Sequence, residues 1–149
     1  MAQLFAAEGA AVCVADMDKE RADEVVGEIV EDGGRAIAAA LDVCQAEQWE
    51  QVVVSAEKAF GHLDLMANLS GSNYRVSFDE QSEDMWRKII DVNLTATFRL
   101  SKAVMRGMMK SRWGRIISIT SIVGVTGNAG QANYAASKAG MIGMSKSLA

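Results

Sequence analysis

A doubly wound α/β fold, with a parallel sheet covered by helices on both faces, is what this sequence predicts. Three observations carry the prediction. Short apolar runs of strand length recur along the chain. Stretches of helical pattern separate each run from the next, and strands joined through helices pair in parallel rather than as hairpins. The first run, Ala10 to Ala15, is apolar at every position instead of alternating, as expected of a strand covered on both sides.

The elements follow in order. Ala2 to Glu8 reads as the tail of an amphipathic helix, closed by Gly9. After the Ala10 to Ala15 strand, a helix is expected from Lys19 to Glu31, stopped by Gly33 and Gly34. Arg35 to Leu41 is a second strand, Ala46 to Phe60 a helix, and Leu63 to Asn68 a third strand. Ser82 is the expected N-cap of a long helix reaching Met109, with Glu83 and Asp84 complementing its first turn. Ile116 to Thr120 is a fourth strand, and the chain is helical from Tyr134 onward. No repeat, low-complexity segment or linker interrupts this series, so residues 1–149 read as one partial domain.

Composition narrows the function classes. Half of the 149 residues are hydrophobic and 23% are charged, a balance that fits a globular domain. The net charge of −4 argues against a nucleic-acid binder. No apolar run approaches the roughly 18 residues of a membrane span. The apolar N-terminus lacks a basic leader and is broken by Glu8, so a cytoplasmic location is expected. Cys13 and Cys44 have no C-x-x-C spacing and read as reduced thiols. His62 is the only histidine, which leaves a serine–histidine triad or a histidine metal site without support, and no metal is expected.

Tyr134 and Lys138 stand four apart on the last helix, on one face, so a phenol and an ammonium can meet. Free tyrosine, with a pKa near ~10, is a poor base at neutral pH; a neighbouring cation favours its phenolate. Such spacing occurs on many helices, and context gives it weight. Ser121 follows the strand ending at Thr120, and open α/β sheets place their sites at the carboxyl ends of strands. A serine there can hydrogen-bond a substrate carbonyl as negative charge develops. Asp16 follows the first strand, where a carboxylate can accept hydrogen bonds from ribose hydroxyls and repel a 2′-phosphate. That favours NAD over NADP.

The stretch from Ser121 through Gly127, Gly130 and Asn133 to Tyr134 and Lys138 resembles the active-site segment of the short-chain dehydrogenases. It is most similar to the 3-oxoacyl-acyl-carrier-protein reductase branch. Asp91, Val92 and Asn93, the run from Phe98 to Met109, and Gly114 to Ser118 resemble the same branch. The resemblance implies a Rossmann-like doubly wound parallel sheet, incomplete here: the first strand with its glycine-rich turn and the C-terminal strands are missing. It implies reversible hydride transfer between a nicotinamide, NAD or NADP, and a carbonyl or secondary alcohol. Tyr134 would pass the proton, Lys138 would lower the tyrosine pKa and hold the nicotinamide ribose, and Ser121 would orient the substrate oxygen. Asn93 would link Lys138 to solvent through a water. Asp42 and Val43 resemble the adenine-contacting pair. Asn68 and Gly71 keep two positions of the family's N-N-A-G segment, whereas Leu69 and Ser70 depart from it.

Both ends look cut, and the chain alone is expected to be inactive, part of an enzyme of about 250 residues. Arg99, Lys102, Arg106 and Lys110 form a basic stripe at spacings of three and four. The stripe is either solvated or a docking face for an acidic acyl carrier protein, with Arg106 at the branch's docking position. Met105, Met108 and Met109 are expected in a core or helix interface. By resemblance the two long helices are subunit interfaces, and a homotetramer is expected. Two other readings stay open: an NAD-linked dehydrogenase of another secondary alcohol (a steroid, polyol or hydroxyacid), and a non-catalytic truncated interaction module.

Overall fold

Strand and helix alternate along the chain as the apolar pattern predicts. The computed structural model describes residues 1–149, which divide into two compact units, Met1–Leu63 and Asp64–Ala149.

In the first unit, α1 (Ala2–Ala7) leads into β1 (Ala11–Asp16), α2 (Lys19–Glu31), β2 (Arg35–Ala40) and α3 (Ala46–Phe60). β1 and β2 pair in parallel, with Ala11 opposite Arg35 and Asp16 opposite Ala40. Asp18 caps α2 by accepting a hydrogen bond from the Arg21 amide. Helix α2 turns Ala22 and Ile29 inward and α3 turns Trp49 and Ala56 inward; all four are buried. The apolar β1 run is only half-buried, against the expectation of full cover, because each strand here has a single hydrogen-bonded neighbour.

The second unit holds β3 (Leu65–Asn68), α4 (Glu83–Ile90), α5 (Ala96–Ser111), β4 (Arg115–Ser118), α6 (Val123–Thr126) and α7 (Ala132–Leu148). β3 and β4 also pair in parallel, Leu65 opposite Arg115 and Asn68 opposite Ser118. The α/β class and parallel pairing are as expected; the four strands are hydrogen-bonded as two pairs. Ser82 caps α4 through the Met85 amide, at 3.2 Å.

The expected long helix from Ser82 is not uniform. Between α4 and α5 the residues Asp91–Thr95 form a π-helical turn, in which the Ala96 amide reaches back to the Asp91 carbonyl. The buried face of α4 and α5 carries Ile89, Ala96, Leu100, Val104 and Met108, and Met141 of α7 is buried as well. Helix α6 was not legible as a helix, since four residues are too few to display a period. The methionines divide: Met108 is core, whereas Met109 is exposed.

Candidate active site

Parallel pairing sends the carboxyl ends of β3 and β4 the same way, so Asn68 and the Ile119–Ser121 segment emerge at one end of their pair. Asn68 is buried, with its Nδ2 donating to Thr97 Oγ1 at 2.7 Å and its Oδ1 accepting from the Ser70 amide at 3.1 Å. Leu69 and Ser70, which depart from the family segment, contribute no side chain to these two bonds.

The π turn places Asn93 at its centre with no solvent exposure. Such turns recur at functional sites because the extra residue redirects a side chain. Asn93 grips the Ser72 peptide from both sides: Oδ1 accepts from its N–H at 2.8 Å, and Nδ2 donates to its carbonyl at 2.9 Å. The same Nδ2 donates to Ser137 Oγ at 3.0 Å, and Ser137 donates to the Tyr134 carbonyl at 2.7 Å. Thr97 donates to the Asn93 carbonyl at 2.6 Å. A continuous polar ladder therefore joins the end of β3, the π turn, the loop after β3 and α7, and satisfies groups that would otherwise be orphaned in the core.

On α7, Lys138 is 4% exposed, and its Nζ donates to the Ile119 carbonyl at 2.6 Å. Burial pushes the ammonium below its ordinary value of 10.5. Its Nζ stands 5.5 Å from the centroid of the Tyr134 ring, so the four-residue spacing does bring the two groups together. Ser121 is half-buried and accepts a hydrogen bond from the Val123 amide at 3.2 Å, at the start of α6. Accepting that bond does not consume its own hydroxyl proton. Helix α6 lies against α7 so closely that a Cβ on Gly124 would sit 2.8 Å from the Ala139 nitrogen and the Lys138 carbonyl carbon. Only glycine permits this seat, which fixes Ser121 with respect to Lys138. Gly71 is exposed, and a Cβ there would lie 3.5 Å from Asn93 Oδ1 and 3.7 Å from Lys138 Nζ. The loop thus leaves an open space over both groups.

Asn68, Gly71, Asn93, Ser121, Tyr134 and Lys138 all belong to the second unit. Asp16, Asp42 and Val43 belong to the first. Asp16 is the last residue of β1 and accepts from the Asp18 amide at 3.0 Å. Asp42 accepts from the Cys44 amide at 2.9 Å, and Val43 is buried with its carbonyl taking the Trp49 indole N–H at 3.0 Å. Arg106 is exposed on α5, as are Lys102 and Lys110, while Arg99 is half-buried. Arg106, Phe98, Met105, Met109, Met144 and Leu148 help line a cavity of about 420 Å³ between α5 and α7. Sequence reasoning missed Ser72, Thr97, Ser137 and Asn133; Asn133 is fully buried and accepts from the Tyr134 amide at 2.7 Å. The four-residue steps from Asn93 to Thr97 to Ser101, in register with the buried apolar stripe, were the available signal. No helix is long and apolar enough to cross a membrane.

A parallel α/β frame with a serine past a strand end, a tyrosine–lysine pair on the following helix and a buried asparagine in a π turn defines the class of the short-chain dehydrogenases. The chain belongs to the short chain dehydrogenase family, whose model matches residues 1–149. It is 43% identical to a 3-oxoacyl-[acyl-carrier-protein] reductase of Vibrio cholerae, over 100% of the chain and 60% of that protein. It is 42% identical to the enzyme of the same name from Escherichia coli, with the same coverage. A 2,5-dichloro-2,5-cyclohexadiene-1,4-diol dehydrogenase of Sphingobium indicum is 40% identical, over 99% of the chain and 59% of that protein. The chain spans about 60% of the length of these curated relatives.

Proposed function

We propose that this chain carries the proton-handling residues of an NAD(P)-dependent oxidoreductase acting on a carbonyl or secondary alcohol. The observation that carries the reading is the buried Lys138 ammonium, 5.5 Å from the Tyr134 ring, on the helix against which Ser121's own short helix is seated. In reduction, Tyr134 donates a proton to the substrate oxygen while Ser121 holds that oxygen through its hydroxyl. In oxidation, Tyr134 takes the proton, with the Lys138 ammonium 5.5 Å from its ring. Asn93 keeps the floor beneath Lys138 in place and is the residue through which a water would reach it.

The residues of the second unit fit the nicotinamide end of a dinucleotide. The space a Cβ on Gly71 would fill lies over Lys138, and an ammonium with three donors uses one of them on Ile119. Lys138, Gly71 and Asn68 would hold the nicotinamide end, with Asp42 and Val43 at the adenine and Asp16 at the ribose hydroxyls. When bound, the cofactor supplies the hydride. The Asp16 carboxylate favours NAD.

Within this class, a 3-oxoacyl-acyl-carrier-protein reductase-like activity is supported by the identity to two such enzymes, and a diol-type dehydrogenase by the third relative and by Asp16. Arg106, with Lys102 and Lys110 exposed beside it, would receive an acidic carrier. The cavity between α5 and α7 fits the proposal that these helices pack in a homotetramer, and a cytoplasmic location accords with this reading. The intact Ser121–Tyr134–Lys138–Asn93 set speaks against a non-catalytic module.

The test is Tyr134→Phe in the full-length protein, assayed with NADH and NADPH on an acetoacetyl thioester and on small secondary alcohols. Turnover should fall by about a hundredfold or more, with dinucleotide binding, read by fluorescence, retained. A Tyr134→Phe variant as active as the wild type overturns the assignment. Preference for carrier-linked over free thioester, lost in Arg106→Glu, separates the two substrate readings.

A further inference from the structure

Helix α7 begins without a side-chain cap: Gln131, its N-cap residue, makes no such hydrogen bond. The first amides of a helix have no carbonyl one turn back, and helix ends fray unless those groups are tied. Tyr134 falls in this first turn, as the third residue of α7. Four residues before it stands Gly130, whose carbonyl would take the Tyr134 amide if the helix began one turn earlier. That carbonyl is already committed. It accepts from the Val76 amide at 3.0 Å, and Gly130 holds a φ of +75°. The first regular bond of the helix runs from the Ala135 amide to the Gln131 carbonyl, at 2.8 Å. The tyrosine thus stands one residue ahead of the hydrogen-bonded part of its own helix.

The Tyr134 amide goes to a side chain instead. Asn133 has no solvent exposure, and its Oδ1 accepts from the Tyr134 N–H at 2.7 Å. Its Nδ2 donates to the Met85 carbonyl, in the first turn of α4, at 3.5 Å. The Tyr134 carbonyl has more support: it lies inside α7, where the helical repeat offers it the Lys138 amide, and Ser137 Oγ donates to it at 2.7 Å. The N–H side of the tyrosine therefore rests on Asn133. A proton donor tolerates little looseness, since a displacement of about 1 Å costs on the order of a hundredfold in rate.

We propose that Asn133 is a positioning residue for the proton transfer, fixing the Tyr134 backbone against α4 so that the phenol stays within reach of the substrate oxygen. The inference rests on the dehydrogenase reading above and adds a residue to that site without adding a reacting group. Asn133 is fully buried and acts through Tyr134. Lys138, one helical turn further on, is held separately by the Ile119 carbonyl. Loss of the Asn133 side chain therefore loosens the phenol while leaving the ammonium, and a dinucleotide held by it, in place.

The experiment uses the full-length protein with an acetoacetyl thioester and the preferred reduced dinucleotide, each variant assayed well below its own melting temperature. Asn133→Ala should lower kcat about ten- to a hundredfold, with both KM values within about twofold of wild type. The solvent deuterium isotope effect on kcat should rise, because proton transfer becomes the slow step. Asn133→Asp keeps an oxygen for the Tyr134 amide and should recover most of kcat. Asn133→Ser is a milder truncation whose hydroxyl is too short to hold that amide; it carries the same expectation where Asn133→Ala does not fold. A wild-type kcat and isotope effect in the truncated variant, whatever its melting temperature, overturns the inference. So does an Asn133→Asp kcat as low as that of the truncated variant. Tyr134→Phe, run alongside, keeps the two readings apart. If it is as active as wild type, the dehydrogenase reading falls together with this one; if it is inactive while Asn133→Ala turns over normally, this one falls alone.

Discussion

The two strand pairs end in different ways. At the carboxyl ends of β1 and β2 the polar candidates, Asp16 and Asp42, bond amides only two residues away and shape local turns. In the second unit Asn68 and Asn93 are buried and bond across the fold, Asn68 to Thr97 and Asn93 to Ser72 and Ser137, whereas Ser121 bonds the Val123 amide two residues away. In the first unit the two candidate carboxylates bond only within their own turns. In the second, the candidates Asn68 and Asn93 also keep core polar groups satisfied. Chemistry and stability are separable in one unit and entangled in the other.

The largest effect that can break this contrast is at Asn93. Asn93→Ala leaves the Ser72 amide and carbonyl and the Ser137 hydroxyl without their partner, and should cost about 3 kcal/mol or more of stability. Denaturant unfolding reads it directly; a loss below about 1 kcal/mol would mean that the ladder is not structural.

Lys138 gives an intermediate effect with a defined sign. Its folded pKa is lowered by burial from 10.5, so between the lowered value and 10.5 the unfolded chain carries the extra proton. Stability contributed by this group is therefore present above 10.5 and lost as pH falls through the folded value. Unfolding measured across the alkaline range should show a rise in wild type that is absent from Lys138→Met; parallel curves would contradict the burial argument. If Lys138 serves Tyr134 as a cation, activity should also fail on the alkaline side below the pH expected of an exposed lysine.

Asp16 tests the other side of the comparison. Asp16→Ala should change stability by no more than about 0.5 kcal/mol, while moving preference toward NADPH by about tenfold, since a like charge facing the 2′-phosphate is removed. A large destabilisation here, or an unmoved cofactor ratio in the full-length protein, would erase the distinction between the units.

The elements were legible where periodicity is long. Helix α2, expected from Lys19 to Glu31, has those bounds, and α3 has Ala46–Phe60 as expected. The Tyr134–Lys138 pair was legible because a helix imposes its spacing. The π turn was not, because a one-residue insertion in a helical pattern leaves no mark on composition. Asn93 alone suits a helix surface; its burial follows from the turn's rotation and from a partner 44 residues away. Ser72, Thr97 and Ser137 were missed for the same reason: serine and threonine satisfy themselves locally or at long range with equal ease, and only the fold says which.

By itself, then, the amino-acid order determined the alternation of strand and helix, the cap at Ser82, the meeting of Tyr134 with Lys138 and the placement of Ser121 past a strand. These rest on forces between near neighbours: backbone hydrogen bonds, helical spacing and the burial of an apolar stripe. Tertiary structure alone decided that the strands pair two by two, that Asn93 faces inward, that Gly124 seats α6 on Lys138, and that Tyr74 meets Lys88. Each of those depends on which distant groups come within hydrogen-bonding or van der Waals range, and such ranges are properties of packing.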